Sequence, residues 1–401
     1  MPGLRFSQCL LATVALVTLL VSNTANAQTN PSLAIYGFGE ADVIADSHRV
    51  DPLWEDAFRP SKIATPEGEF GSNGQTSVSV KQSRFGVQSS VPIGDFGPAT
   101  FKFEFDLFGV GVDAGQTTFR LRHAYGEIGQ VLAGQTNSVF MDGDVFPNVI
   151  DYWGPPGMVF YRNVQIRWTP YRTDSSHFAI AIERPGNDID AGQIREIDPE
   201  LGANIRSDEK LPDLTTHFYT SGSWGHVQLA GIVRYVGFDS PGTVDNEPKG
   251  HEIGWGVNLG AHAAVFERDR LIGQVVYGHG IASYMNDGGV DLAPGGTHAM
   301  PHAEAVPLLG VVAYYDHYWT DALSSSIGYS FTQVDNTSLQ EPIAFRKGEY
   351  ASLNLLYTPI KTLMVGGEVL WGKRTDNDHI TGDDWRFQFS VKYSFSTALS
   401  L

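Results

Sequence analysis

The residues best suited to chemistry are basic and lie between Val78 and Arg172. Arg84, Lys102, Arg120, Arg122, Arg162 and Arg167 are all of a type that holds anions. Guanidinium is planar and offers two parallel donors, which match the two oxygens of a carboxylate. Arg120 and Arg122 alternate with Phe119 and Leu121, Arg84 precedes Phe85, and Arg167 sits between Ile166 and Trp168. These bases therefore take the polar face of alternating segments, and Lys102 shares such a face with Glu104 and Asp106. Arg162 has the opposite parity to Arg167 and reaches the same side only at the end of its segment. Rows of Arg and Lys favour anions where they line a passage. The competing reading is a set of salt bridges with Glu104 and Asp106 that stiffens a wall.

Other chemistries find little support. The sequence has 12 His, but no Gly-x-Ser-x-Gly elbow, His-Glu-x-x-His pair or phosphate loop. His298, His302 and Glu304 form the best metal candidate, yet they lie in a Gly/Pro-rich stretch with no partners to orient them, and read as a solvated loop. His123, His217 and His226 lie in or beside strand-like segments and read as wall or interface residues. The single cysteine, Cys9, falls in the leader described next, so no disulfide or thiolate chemistry is expected after it. No enzymatic activity, cofactor or metal is expected.

Residues 1–27 form a secretory signal: Arg5, an apolar run from Cys9 to Val21, and the small-residue site Ala25-Asn26-Ala27. Cleavage leaves 374 of 401 residues and, with Arg5 gone from the 27 bases against 45 acids, a net charge of −19. That balance argues against nucleic acid as a partner, because phosphate binding needs a basic face. Beyond the leader no apolar run approaches the roughly 18 residues of a membrane helix.

The elements that must position the basic residues are strands. In Ala99–Phe108, Ala99, Phe101, Phe103, Phe105 and Leu107 alternate with Thr100, Lys102, Glu104 and Asp106. Phe387, Phe389, Val391, Tyr393 and Phe395 alternate with Arg386, Gln388, Ser390, Lys392 and Ser394. Alternation of this kind hides a membrane-facing surface from hydropathy averages, because only every second residue meets lipid. Short turns near 94–98, 129–130, 171–175, 221–225, 267–270, 320–321 and 359–362 alternate with long polar connections near 47–76, 109–116, 138–158, 185–212, 239–250, 285–302, 335–347 and 373–383. The expectation is an all-β, transmembrane antiparallel β-barrel of about 16 strands, with 14 and 18 open, short periplasmic turns and long extracellular loops. Its location would be the outer membrane of a Gram-negative bacterium. Aromatic residues near strand ends (Trp168, Tyr171, Tyr314, Tyr315, Tyr318, Trp319, Trp371 and Trp385) fit interface girdles. A short lead (28–32) precedes the barrel (33–395), and 396–401 read as a tail after a last strand ending at Phe395. Residues 185–300 carry 16 acids and 7 bases. In outward loops these acids could meet lipopolysaccharide through divalent cations, or simply keep the loops soluble.

Several runs resemble the DcaP-like trimeric porin family: Lys81-Gln-Ser-Arg-Phe-Gly86, Phe101-Lys-Phe-Glu-Phe-Asp106, Phe119-Arg-Leu-Arg-His-Ala-Tyr125, Leu132-Ala-Gly-Gln-Thr136, Phe140-Met-Asp142, Asp151-Tyr-Trp-Gly-Pro155 and Arg162-Asn-Val-Gln-Ile-Arg-Trp-Thr-Pro170. The resemblance implies a 16-stranded outer-membrane barrel, a homotrimer, and passive diffusion of small anionic solutes with dicarboxylates favoured. By motif position the family's lumen arginines match Arg84, Arg120, Arg122, Arg162 and Arg167. The connection Asn137–Val159 resembles the loop that folds inward to narrow porin channels. Asp142, Asp144 and Asp151 are then expected to face the basic wall across the opening. A general or cation-preferring porin and a plugged structural or adhesive barrel are the alternatives.

Overall fold

In a barrel wall every strand shows one face to lipid and one to the interior, so period-two sequences fold into it and backbone groups are satisfied between neighbours. The computed structural model of the protein describes residues 31–400; the leader lies outside them. The wall begins with β1 (Ser32–Asp46), β2 (Gln75–Ser79), β3 (Arg84–Pro92), β4 (Pro98–Phe108), β5 (Thr117–Ile128), β6 (Val131–Asn137), β7 (Arg162–Arg172) and β8 (Ser176–Glu183). It continues with β9 (Arg206–Asp208), β10 (Asp213–Gly222), β11 (Gly225–Asp239), β12 (Gly250–Val265) and β13 (Asp269–His279). A hairpin of β14 (Leu292–Thr297) and β15 (Met300–Ala305) follows, outside the wall. The last wall strands are β16 (Pro307–Tyr318), β17 (Leu323–Val334), β18 (Phe345–Ile360), β19 (Leu363–Asp376) and β20 (Thr381–Ser400). β2 and β3 pair with successive parts of β1 and act as one interrupted strand, and β9 is a short addition beside β11. Counted so, the wall is a closed antiparallel barrel of sixteen strands.

Closure differs from expectation at one place. β20 does not stop at Phe395 but pairs with β1 from Ser32↔Ser400 to Asp46↔Arg386. The residues 396–400, expected as a tail, are wall. β1 starts at Ser32, and its first residues need a partner on this side as they have on the β3 side.

Turns at 93–97, 129–130, 173–175, 223–224, 266–268, 319–322 and 361–362 lie at one end of the barrel, and the long connections at the other. The fourth connection adds two short helices, Ile194–Ile197 and Pro199–Asn204, and the sixth adds the β14–β15 hairpin. Neither was expected.

Outward positions are apolar and exposed, as at Phe101, Phe119, Ile166, Leu229, Leu259, Leu355 and Phe387. Trp168, Tyr171, Trp319 and Trp385 are exposed near strand ends, as interface girdles require. Tyr314 is a correction: it is buried inside and hydrogen-bonds Ser352 at 3.0 Å.

The interior is not uniformly polar. Phe58 and Ile63 from the first connection, Phe140, Val145, Met158 and Val159 from the third, and Ile281 and Tyr284 from the sixth pack on Ile232, Val276, Val312, Tyr350 and Leu370 of the wall. Full burial of such side chains stabilises by roughly 1.5–3 kcal/mol each. One side of the barrel is therefore filled by its own loops.

Candidate channel constriction

The wall left outside this apolar packing is β3 to β7, and it carries the basic residues. Glu104 and Asp106 of β4 sit at its centre, 3 % and 0 % exposed. Arg120 grips Asp106 with two bonds, Nε–Oδ1 at 3.0 Å and Nη2–Oδ2 at 2.7 Å. Arg122 spans both acids, reaching Glu104 at 2.8 Å and Asp106 at 2.9 Å. Arg84 Nε and Lys102 Nζ each lie 3.6 Å from Glu104. Tyr36 adds a 2.8 Å bond to Glu104, its ring crossing Gly86, where a Cβ would lie 2.4 Å from it. The carboxylates thus hold the guanidiniums in place without matching them in number. Arg84 Nε and Arg162 Nη1 are buried and hydrogen-bonded to nothing among the described residues.

A register shift explains why neighbours in sequence share this face. Between Glu104↔His123 and Phe105↔Leu121 the β4–β5 ladder holds a bulge at Arg122. The extra residue lets Arg120 and Arg122 point inward and then His123 as well, against strict alternation. His123 bonds Thr136 at 3.0 Å. Arg162, as first residue of β7, lies at the loop end of its strand, close enough to Arg120 and Arg122 to sense their charge. Arg167 stands apart toward the turn end, bonded to Gln165 at 3.0 Å and the Asn137 carbonyl at 2.6 Å.

The third connection, residues 138–161, folds inward and follows the rest of the wall. Ser138 and Val139 bond Glu183 of β8, and the Val139 carbonyl meets His217 of β10 at 2.9 Å. Asn258 of β12 donates to Phe140, and Gln228 of β11 to Met141. Asn148 accepts from Asn354 of β18, Gly157 donates to Ser330 of β17, and Glu368 of β19 accepts from the amides of Ile150 (2.7 Å) and Asp151 (3.1 Å). Tyr152 completes the circuit by donating to Asp106 on the basic wall at 2.5 Å, and its ring stacks on Phe108, centroids 4.3 Å apart. The loop covers the wall from β8 round to β20 and faces β3–β7 across the remaining space.

The three loop acids do not form the expected acidic face. Asp151 is buried and turned to the far side, accepting from Phe58 N at 3.0 Å, Gly154 N at 2.8 Å and Tyr350 Oη at 3.3 Å. Burial pushes its carboxyl above the usual carboxylate range. Asp142 is buried against β11, 2.8 Å from His226 Nε2. Only Asp144 is exposed, accepting from Tyr219 at 2.8 Å. The first two are anchors, because loop ends that pack on a wall need polar ties for their turns. His302 and Glu304 form an exposed 2.9 Å pair, while His298 bonds Gln193 instead, so the three do not converge. Sequence reasoning did not single out Tyr36, Tyr152, Glu183 or Glu368. The Asp151-Tyr-Trp-Gly-Pro155 motif marks Tyr152, whereas Glu183 and Glu368 carry no local signal beyond a charge inside an apolar strand.

The sequence profile of the DcaP outer membrane protein family matches residues 63–395. A search of curated protein sequences gave no match. Among solved structures, the outer membrane channel DcaP of Acinetobacter baumannii superposes with a TM-score of 0.77 at 22% identity, covering 93% of this chain and 100% of that one. An anion-selective porin from Comamonas acidovorans gives 0.57 at 10% identity, covering 91% and 100%. OmpT of Vibrio cholerae in a trimer form gives 0.53 at 11%, again covering 91% and 100%. With the family profile spanning most of the sequence, and a sixteen-stranded barrel with an inward third loop, this chain belongs to the DcaP outer membrane protein family and is a porin of the Gram-negative outer membrane.

Proposed function

We propose that the barrel passes small anionic solutes by passive diffusion, with dicarboxylates the favoured class, and that it works as a homotrimer. The observation that carries this reading is the make-up of the wall facing the loop. Arg84, Lys102, Arg120, Arg122 and Arg162 stand there with Glu104 and Asp106, five cations to two carboxylates, an excess of three, with Arg167 apart toward the turn end. The Arg84 and Lys102 side chains keep 26% and 24% of their surface exposed and can meet a carboxylate passing by. Two carboxyl groups on one solute can engage neighbouring guanidiniums in turn, exchanging part of their hydration for contacts weak enough to release. The family and the fold are those of a channel.

The outward faces of β3, β4, β5 and β20 offer an aromatic patch that suits contact with further copies of the chain. Phe85, Phe105, Phe119 and Phe395 make ring contacts 4.8–6.4 Å apart on the lipid side. Exposed acids of the long loops, among them Glu209, Asp245 and Glu247, suit lipopolysaccharide bridged by divalent cations.

Liposome swelling with a series of mono- and dicarboxylates beside neutral sugars of equal size tests the solute class. Faster entry of dicarboxylates is expected; equal rates for sugars and acids would mark a general pore.

A further inference from the structure

A second cluster lies where the start of the third loop meets β10, β11 and β12. His226 is fully buried, and both ring nitrogens are engaged. Nε2 lies 2.8 Å from Asp142 Oδ2, and Nδ1 meets the Nδ1 of His262, its direct partner across the β11–β12 ladder. Asp144 completes the group: one ligand atom each from Asp142, Asp144 and His226 fall within 4.8 Å of one another. The wall is shaped for this approach, since a Cβ on Gly260 would lie 2.2 Å from Asp142 Oδ2. Tyr219 bonds Asp144 at 2.8 Å and stacks on His226, centroids 5.3 Å apart.

We propose that Asp142, Asp144 and His226 bind one first-row transition-metal dication of the zinc kind, tying the first part of the loop to the wall. One imidazole with two carboxylates suits such an ion, whereas calcium and magnesium prefer oxygen alone. His262 is the positioning residue: a ligating histidine needs its second nitrogen held so that the ring keeps its orientation. Donors on one zinc lie roughly 3–4 Å apart, so binding requires a movement of about 1 Å. Asp144, the exposed member, can supply it, and it is also the point of entry. The site lies on the loop-covered side, apart from the Arg84, Arg120, Arg122 and Arg162 cluster, and does not depend on the anion reading.

Isothermal titration of the full chain, folded in detergent, with zinc chloride tests this. One saturable site per chain is expected, with at least tenfold weaker binding in both Asp144→Asn and His226→Gln. Asp144→Asn alters an exposed side chain, so heat-modifiable gel mobility verifies its fold even where His226→Gln fails to fold. His302→Ala, which breaks the exposed pair with Glu304, should leave binding unchanged. The absence of a saturable site, binding unaffected by Asp144→Asn, binding lost with His302→Ala, or displacement by equimolar calcium would each overturn the proposal.

Discussion

Tyr152 of the inward loop donates a 2.5 Å hydrogen bond to Asp106 on the opposite wall, and Arg122 reaches the same hydroxyl at 3.0 Å. One phenol therefore joins loop and basic wall at the point where they come together. Hydrogen bonds to charged groups contribute about 1.5–3 kcal/mol. Tyr152→Phe should keep the barrel folded, loosen the loop and raise single-channel conductance. Unchanged conductance and current noise would mean that this contact does not limit the passage.

The loop also depends on a missing side chain. A Cβ on Gly157 would sit 2.2 Å from the Phe331 carbonyl oxygen and 2.5 Å from that of Val311, both backbone. Gly157→Ala must therefore lift the loop or distort β16 and β17, at about 1–3 kcal/mol. The temperature at which the folded gel band converts to the unfolded one should fall. A variant as heat-resistant as the parent would contradict this packing.

Glu368 anchors the middle of the loop through the amides of Ile150 and Asp151. Removal of the acceptor leaves two buried N–H groups, each costing about 1–3 kcal/mol. Glu368→Ala should lower stability to denaturant, while Glu368→Gln, which keeps an acceptor oxygen, should recover most of it. Equal effects of the two substitutions would point to charge rather than hydrogen bonding.

Most of the wall was legible because alternation reports it directly, and the short turns and long connections fall where polar and Gly-rich breaks place them. The inward parity of Arg84, Arg120 and Arg167 was legible for the same reason. What escaped was non-local. Nothing near Asp151 signals that Phe58 and Tyr350, far off in sequence, would turn it away from the opening. The bulge at Arg122 breaks the period on which parity rests, so His123 could not be placed by counting. The half-filled interior arises from apolar residues such as Phe140 and Met158, which sit in connections where no period exists.

The strand end also carries a prediction. Residues 396–400 pair with Ser32–Tyr36, which seals the barrel at its turn end. Deletion of 396–401 exposes that β1 edge to lipid, where unpaired backbone groups cost several kcal/mol each. The yield of heat-modifiable folded barrel should drop sharply. Normal yield would show that the seam is dispensable.

The central claim is that the basic wall sets the sign of selectivity, and reversal potential in a salt gradient across a planar bilayer tests it most directly. Arg120→Glu with Arg122→Glu replaces two positive charges by two negative ones, which turns the cluster's excess of three into a deficit of one. The unmodified channel should prefer anions, and the double variant should shift the anion-to-cation permeability ratio about tenfold toward cations, or ~1.4 kcal/mol. Cation preference in the unmodified channel, or an unchanged reversal potential in the double variant, would contradict the account.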